Sequence, residues 1–304
     1  MSAVVLAYHE LGYVALEALL RRGVAVSAVF TYEDDPEENC WFRSVAALAR
    51  AAGVPTYVTE RVNDPEWVEL VRQLSPDLLF SFHYRHLLRR PLRALPRLGA
   101  FNLHTSLLPR FRGRCPLNWQ LVQGELRSGV TLHHMVARAD AGDIVDQEPV
   151  AVGPDDTALE LYRKLLPAAE RLLERRLDQL LAGTAPRRAQ DETQATTFGG
   201  RRPEDGRIDW RWSAQRIHDL VRAVAPPWPG AFAEGPLGRI AVHRTRRVGA
   251  AAGPARAPGT VVMDARGAPL VHTGEGLLEL VEYQMPGGVG LAQGVTLCGE
   301  ECWR

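Results

Sequence analysis

Over the first two-thirds of the chain, short runs of apolar residues alternate with segments whose apolar positions recur at helical spacing. The runs are Ala3–Ala7, Val24–Phe30, Pro55–Val58, Leu78–Phe82 and Gly99–Leu103. The stretches Val14–Arg22, Trp41–Ala52 and Pro65–Leu74 carry the three-to-four-residue period between them. Continuous apolar strands separated by helices predict a Rossmann-like, mostly parallel sheet with helices on both faces, an α/β fold. Ligands of such sheets bind beyond the carboxyl ends of the strands, so chemistry is sought there.

A loop rich in Pro, Arg and Gly follows, from His104 to Pro116. Thr131–Val136 and Ile144–Val152 predict two further strands, with a tight turn at Ala141-Gly142 between them. Asp155-Asp156-Thr157 reads as the start of an amphipathic helix running to about Leu181, where Gly183 stops it. Residues 186–206 are polar and irregular and read as a linker between a catalytic domain, 1–185, and a small domain, 207–304. In the small domain a helix at Ser213–Val224 precedes the turn Pro226–Gly230. Short apolar runs at Ile240–His243, Thr260–Met263, Leu270–His272 and Leu277–Tyr283 then predict a small OB-like β-barrel. Gly249–Gly259 reads as a loop, and the chain holds no internal repeat.

Bulk properties narrow the picture. A chain of 304 residues can bury two cores, and 46 % hydrophobic with 24 % charged residues is ordinary for a globular protein. A net charge of +0 and a pI near 7.1 give no global pull toward nucleic acid or an anionic membrane. The four cysteines, Cys40, Cys115, Cys298 and Cys302, form neither a disulfide framework nor a zinc-ligand spacing, and read as reduced thiols. The start, MSAVVLAYHE, lacks the pattern of a signal peptide, and no apolar run is long enough to span a bilayer. The reading is a cytoplasmic protein without membrane insertion.

The turn after the first strand, Tyr8-His9-Glu10-Leu11-Gly12, has neither G-x-G-x-x-G nor G-x-x-x-x-G-K-[ST]. That disfavours a nicotinamide or ATP cofactor. His9-Glu10 does not extend to H-E-x-x-H.

The segment Ala100–Pro116, AFNLHTSLLPRFRGRCP, is the most informative. Asn102 and His104 alternate with Leu103 along a strand, so amide and imidazole share one face at its carboxyl end. A second segment, Val136–Asp143, places Asp140 beside a tight turn that can aim its carboxylate back at the sheet. Together these groups suit acyl transfer to an amine. The imidazole takes the proton the amine must lose, a fixed N–H meets the tetrahedral oxyanion, and the carboxylate orients the imidazole. Arg110 and Arg112 read as solvated loop residues, His133 and His134 as structural residues on opposite strand faces, and Trp119 and Trp228 as packing aromatics.

Three separated stretches resemble the folate-dependent formyltransferases. They are HTSLLPRFRGRCPLNW, the Ala139–Ile144 segment (A-D-x-G-D-I), and Pro227-Trp228-Pro229-Gly230 before the small domain. The resemblance runs from residue 1 to about 285. Within the family the most similar branch is the formyltransferase domain of the bifunctional polymyxin-resistance enzyme, on Ala7–Gly12, Ser81–Leu87 and Arg112–Trp119. Its fused dehydrogenase half has no counterpart here, and Cys115 stands where a small residue is expected. The resemblance implies 10-formyltetrahydrofolate as co-substrate, no metal, and a nucleotide-linked amino sugar, UDP-4-amino-4-deoxy-L-arabinose, as acceptor, in lipid A modification and polymyxin resistance. It assigns Asn102 to the oxyanion, His104 to proton transfer and Asp140 to tuning His104. It sets the reduced folate against His86, Leu87 and Leu88, against Val136, Ala137, Arg138, Ala139 and Asp140, and near Arg114. Tyr8, just after the first strand, is a candidate sugar contact.

The main alternative within the family is a methionyl-tRNA formyltransferase, which must hold a polyanion; Arg244, Arg246 and Arg247 could begin such a patch. The chain lacks a strongly basic insertion for that role. A formyl-folate hydrolase and a non-catalytic folate- or nucleotide-binding module are the other readings. The first lacks its regulatory domain here, and the intact trio speaks against the second.

Overall fold

The structure is a computed structural model that describes residues 1–34, 40–235, 238–249, 256–288 and 290–297. Cys298 and Cys302, and most of the loop expected at Gly249–Gly259, lie outside the described residues. In the first half, the chain runs β1 Ser2–Ala7, α1 His9–Arg21, β2 Ala25–Thr31, α2 Val45–Ala51, β3 Thr56–Val58, α3 Pro65–Leu74, β4 Leu78–Phe82, α4 Arg90–Arg93 and β5 Gly99–His104. It continues through β6 Arg112–Gly113, α5 Pro116–Val122, β7 Arg127–His134, β8 Ile144–Ala151, α6 Ala158–Leu181 and β9 Thr197–Phe198. The last elements are α7 Ala214–Val224, β10 Ala231–Gly235, β11 Gly238–Val248, β12 Val261–Met263, β13 Pro269–His272 and β14 Leu277–Gln284.

The chain divides into two compact units. One comprises Met1–Pro116, Arg127–Ala151 and Arg163–Phe198, the other Leu117–Leu126, Val152–Tyr162 and Gly199–Arg304. The first is built on a seven-stranded sheet in the order β3-β2-β1-β4-β5-β7-β8. Its first five strands are parallel, as their apolar runs predict, and β7 and β8 add an antiparallel edge. Chain order reverses between β1 and β4, the topological switch where such sheets open a crevice at their carboxyl ends. Val4, Leu6, Ala28, Phe30 and Leu79 are fully or almost fully buried and cluster with Val68 and Val71 of α3. Each of the Val, Leu and Phe side chains contributes roughly 1.5–3 kcal/mol by leaving water.

Three local differences from the sequence reading have clear causes. Helix α1 begins at His9 rather than Val14, so the Tyr8–Gly12 turn is the helix start; Gly12 N–H already donates to the Tyr8 carbonyl at 3.2 Å. Helix α2 begins only at Val45, because Ser44 caps it through Ala47 N–H (3.1 Å) while Trp41 and Phe42 pack on the His9 ring. Strand β7 runs from Arg127 to His134 instead of Thr131–Val136, held in register by β8 along nearly its whole length.

The second unit carries the antiparallel sheet expected of a small barrel, in the order β10-β11-β14-β13-β12. Two register shifts in β11, at Val242/Arg244 and Arg244/Thr245, mark where this long strand departs from a regular ladder. Strand β10 was not legible in the sequence because its pattern, AFAEG, is short and small-residue-rich. Ser213 caps α7 through Arg216 N–H, matching the predicted helix start. Among the described residues no helix is long and apolar enough to cross a membrane.

Candidate active site

The carboxyl ends of β1, β4 and β5 open into a cavity of about 410 Å³. Asn102, His104, Asp140, His86, Leu87, Leu88, Arg114, Val136, Ala137, Ala139 and Tyr8 all line it. Arg138 does not; its guanidinium turns away to Glu192 at 3.0 Å. Tyr8 is 2 % exposed, packed edge-on against Tyr32 and Phe42 with the Arg85 guanidinium over its ring, so little of it reaches the cavity. Leu87 is 70 % exposed at the rim, an uncovered apolar side chain beside a polar site.

Strand alternation brings Asn102 and His104 to one face, and the neighbouring antiparallel strand adds to it. Asn102 pairs in register with His133, and the Asn102 amide donates to His133 Nε2 at 3.1 Å. His133 Nδ1–H donates to the His134 carbonyl at 3.0 Å, which leaves Nε2 as the acceptor. An amide nitrogen carries two hydrogens, so one N–H of Asn102 anchors the side chain and the other remains for a ligand. His133 therefore belongs to the site rather than to the packing alone. The β5–β7 register carries the signal that reveals it. His134, on the opposite face as expected, packs on Phe101, donates from Nε2 to the Pro186 carbonyl and accepts at Nδ1 from Arg187.

His104 is 7 % exposed. Its Nε2 lies 2.8 Å from the Phe111 carbonyl, an acceptor only, so Nε2 keeps its proton. The lone pair of the neutral ring is then on Nδ1, and Asp140 Oδ1 stands 3.6 Å from that atom. Asp140 Oδ2 accepts the Gly113 N–H at 2.8 Å, and Oδ1 lies 3.5 Å from His133 Nε2. Burial pushes the Asp140 carboxyl up, but the positive charge that His104 and His133 carry when protonated, with the Gly113 N–H, outweighs it and holds the group well below the usual carboxylate range. Asp140 is thus an anion lying beside His104 Nδ1.

Two glycines make this approach possible. A side chain at Gly142 would sit 1.8 Å from the His134 carbonyl, and one at Gly113 2.3 Å from that of Phe198. Backbone strain gathers here as well. Among the described non-glycine residues, left-handed conformations occur at His9, His83, Cys115 and Asp140, all lining the cavity, at Phe111, whose carbonyl holds His104, and at Ser75. Such conformations persist only where the surroundings impose them.

The sequence reading also missed His83 and His9, whose rings lie 5.3 Å apart at the cavity wall. Burial, then the neighbouring His104 and Arg85, lowers His83 to about 4. The His83 side chain is nonetheless exposed to the cavity, so solvent screening makes that depression smaller than burial alone would give. Arg112, read as solvated, is 1 % exposed and bound to Gln190 and Glu192.

Residues 11–177 match the formyl transferase family model and residues 201–299 that of the formyl transferase C-terminal domain. The chain therefore belongs to the formyl transferase family. Solved structures share its fold at low identity. An N-formyltransferase from Helicobacter canadensis, in complex with folinic acid and dTDP-3-aminofucose, is 18 % identical with a TM-score of 0.73, over 91 % of this chain and 98 % of that one. WlaRD, a sugar 3N-formyl transferase seen with dTDP and 5-N-formyl-THF, is 17 % identical with a TM-score of 0.70, over 93 % and 98 %. HypX from Aquifex aeolicus, in complex with tetrahydrofolic acid, is 18 % identical with a TM-score of 0.64, over 93 % of this chain and 44 % of that one.

Proposed function

We propose that this chain transfers the formyl group of 10-formyltetrahydrofolate to the primary amine of a nucleotide-linked amino sugar, UDP-4-amino-4-deoxy-L-arabinose. The observation that carries the reading is one cavity holding a tautomer-fixed imidazole, an ionised carboxylate beside its lone pair and an amide with an N–H to spare. The amine nitrogen attacks the formyl carbon and the carbonyl oxygen gains negative charge, which the second N–H of Asn102 meets. His104 takes the ammonium proton at Nδ1, facing Asp140, and returns it to the folate nitrogen as the carbon–nitrogen bond to the folate breaks. The exposed Leu87 and the backbone of Val136–Ala139 offer an apolar and hydrogen-bonding wall for the flat pterin. Folate derivatives bound to the structural neighbours, and dTDP-linked sugars or dTDP in two of them, support both substrate classes. The uridine nucleotide and the arabinose rest on the sequence stretches Ala7–Gly12, Ser81–Leu87 and Arg112–Trp119.

The tRNA reading stands second. Arg244 lies 3.8 Å from Glu160, Arg246 3.2 Å from Glu279, and Arg247 is bonded to Gln215, so each arginine of that patch already has a partner. The test offers 10-formyltetrahydrofolate with UDP-4-amino-4-deoxy-L-arabinose, dTDP-linked amino sugars and methionyl-tRNA in parallel. Mass gain on the UDP sugar alone is expected. Gain on a dTDP sugar alone removes the nucleotide assignment, and formylation of tRNA alone removes the sugar.

A further inference from the structure

The segment 190–198 lies in the stretch whose sequence reads as an irregular linker, yet it is bonded to both halves of the catalytic arrangement. Arg112 N–H donates to the Thr196 carbonyl at 2.9 Å, Arg114 N–H to that of Phe198 at 3.0 Å, and Phe111 N–H to Thr196 Oγ1 at 2.9 Å. The Phe111 and Phe198 rings stack at 5.2 Å. The loop carrying the Phe111 carbonyl, which sets the His104 tautomer, is thereby fixed from behind. The side chains reach the other half. Gln190 Nε2 donates to the carbonyls of both Asp140 and Gly142, each at 2.7 Å. Gln190 Oε1 accepts from Arg112 Nη2 at 2.7 Å and Nε at 3.1 Å. Arg112 completes its fork on Glu192 at 2.7 and 3.0 Å, and Arg138 adds a bond to the same carboxylate.

We infer that Gln190, Arg112 and Glu192 form a positioning clamp that sets the distance and orientation of Asp140 relative to His104. Asp140 has φ 53, a conformation that costs a non-glycine residue free energy and must be imposed by its neighbours. The carbonyls that Gln190 grips are that of Asp140 itself and that of Gly142, two residues on. A staple that served only to tie down the 190–198 segment would not need to end on the backbone carrying the carboxylate. The planar guanidinium, donating to two acceptors from a buried position, fixes Gln190 in turn. This inference rests on reading His104 and Asp140 as the proton-handling pair.

Gln190→Met keeps the length of the side chain and removes its donors and acceptor. With the fold intact by circular dichroism and melting temperature, kcat should fall roughly ten- to a hundredfold with the donor KM little changed, as expected for a misplaced reacting group. The ¹⁵N resonances of the His104 ring give a readout that needs no acceptor. With the Phe111 carbonyl still holding the Nε2 proton, the Nδ1 resonance reports the Asp140 carboxylate beside it and should shift between parent and variant. An unchanged kcat, or an unchanged Nδ1 resonance, overturns the clamp. If Gln190→Met does not fold, Glu192→Ala, at a side chain 57 % exposed, should shift both readouts in the same direction, and their constancy there overturns it equally. If the parent enzyme formylates no amino sugar, the substrate reading fails while the ring resonances still decide the clamp.

Discussion

Each unit of this chain contains a cavity lined by histidine and arginine, and the two differ in how their polar atoms are used. The cavity of the second unit measures about 320 Å³ and is lined by His218, Arg222, His243, Arg244 and Arg246, with Asp155 and Glu282. His218 gives one ring nitrogen to Thr245 at 3.0 Å and the other to the Pro154 carbonyl at 3.1 Å. Arg222 pairs with Asp219 at 2.7 Å and donates to the carbonyls of Gly153 and Asp156. Among the described residues lining it, only His243 Nδ1 is a buried side-chain polar atom without a hydrogen-bond partner. In the first unit, by contrast, functional groups line the space: the Nδ1 lone pair of His104, the second N–H of Asn102, the Asp140 carboxylate. Four strained backbone positions line that wall, and none of the residues lining the other cavity is left-handed. The difference teaches that titratable residues around a hollow do not make a reactive site. What marks one is chemistry held open at structural cost.

Substitutions on the two sides should therefore separate turnover from stability. His104→Ala removes the proposed general base and should lower kcat by about 10²- to 10⁴-fold, measured at saturating donor and acceptor. Asn102→Ala should lower it by about 10²- to 10³-fold. A small effect of either would erase the contrast between the cavities. His218→Ala strands the Thr245 hydroxyl and the Pro154 carbonyl, and should cost about 1–3 kcal/mol in denaturant unfolding while kcat stays at the parent value. A large fall in kcat with unaltered stability would give the second cavity a role in the reaction.

The smallest expected effect concerns pH. His83 is lowered to about 4 from an ordinary 6.5, so between those values the unfolded chain binds more protons at this position than the folded one. Stability should then fall as pH drops from about 6.5 toward about 4, by less than full burial would give because the side chain is exposed to the cavity. His83→Gln should flatten that part of the curve in denaturant titrations. An equally steep variant would mean that cavity water solvates the His83 cation as fully as bulk.

That Asn102, His104 and Asp140 meet at one cavity was legible because each announces its place locally. Strand period places Asn102 with His104, and the Ala141-Gly142 turn explains how Asp140 points back. The alternation of apolar runs gave the parallel core for the same reason. His133 was not legible, because its place depends on pairing across from Asn102, 31 residues away in the chain. Arg112 looked like a loop cation, and only the arrival of Gln190 and Glu192, 78 and 80 residues on, shows why it is buried. Arg138 shows the converse: its backbone lies between cavity residues, while its long side chain finds a carboxylate outside the cavity. Local pattern fixes which face a residue takes, and tertiary pairing decides what that face meets.

The most direct measurement is the binding of a non-reactive formyl-folate to the parent enzyme and to Asn102→Ala, alongside kcat for both. The account predicts nearly equal affinities and a large loss of kcat, since the amide's interaction grows only as the oxyanion forms. A loss of affinity that accounts for the whole fall in kcat/KM, with kcat intact, would contradict it.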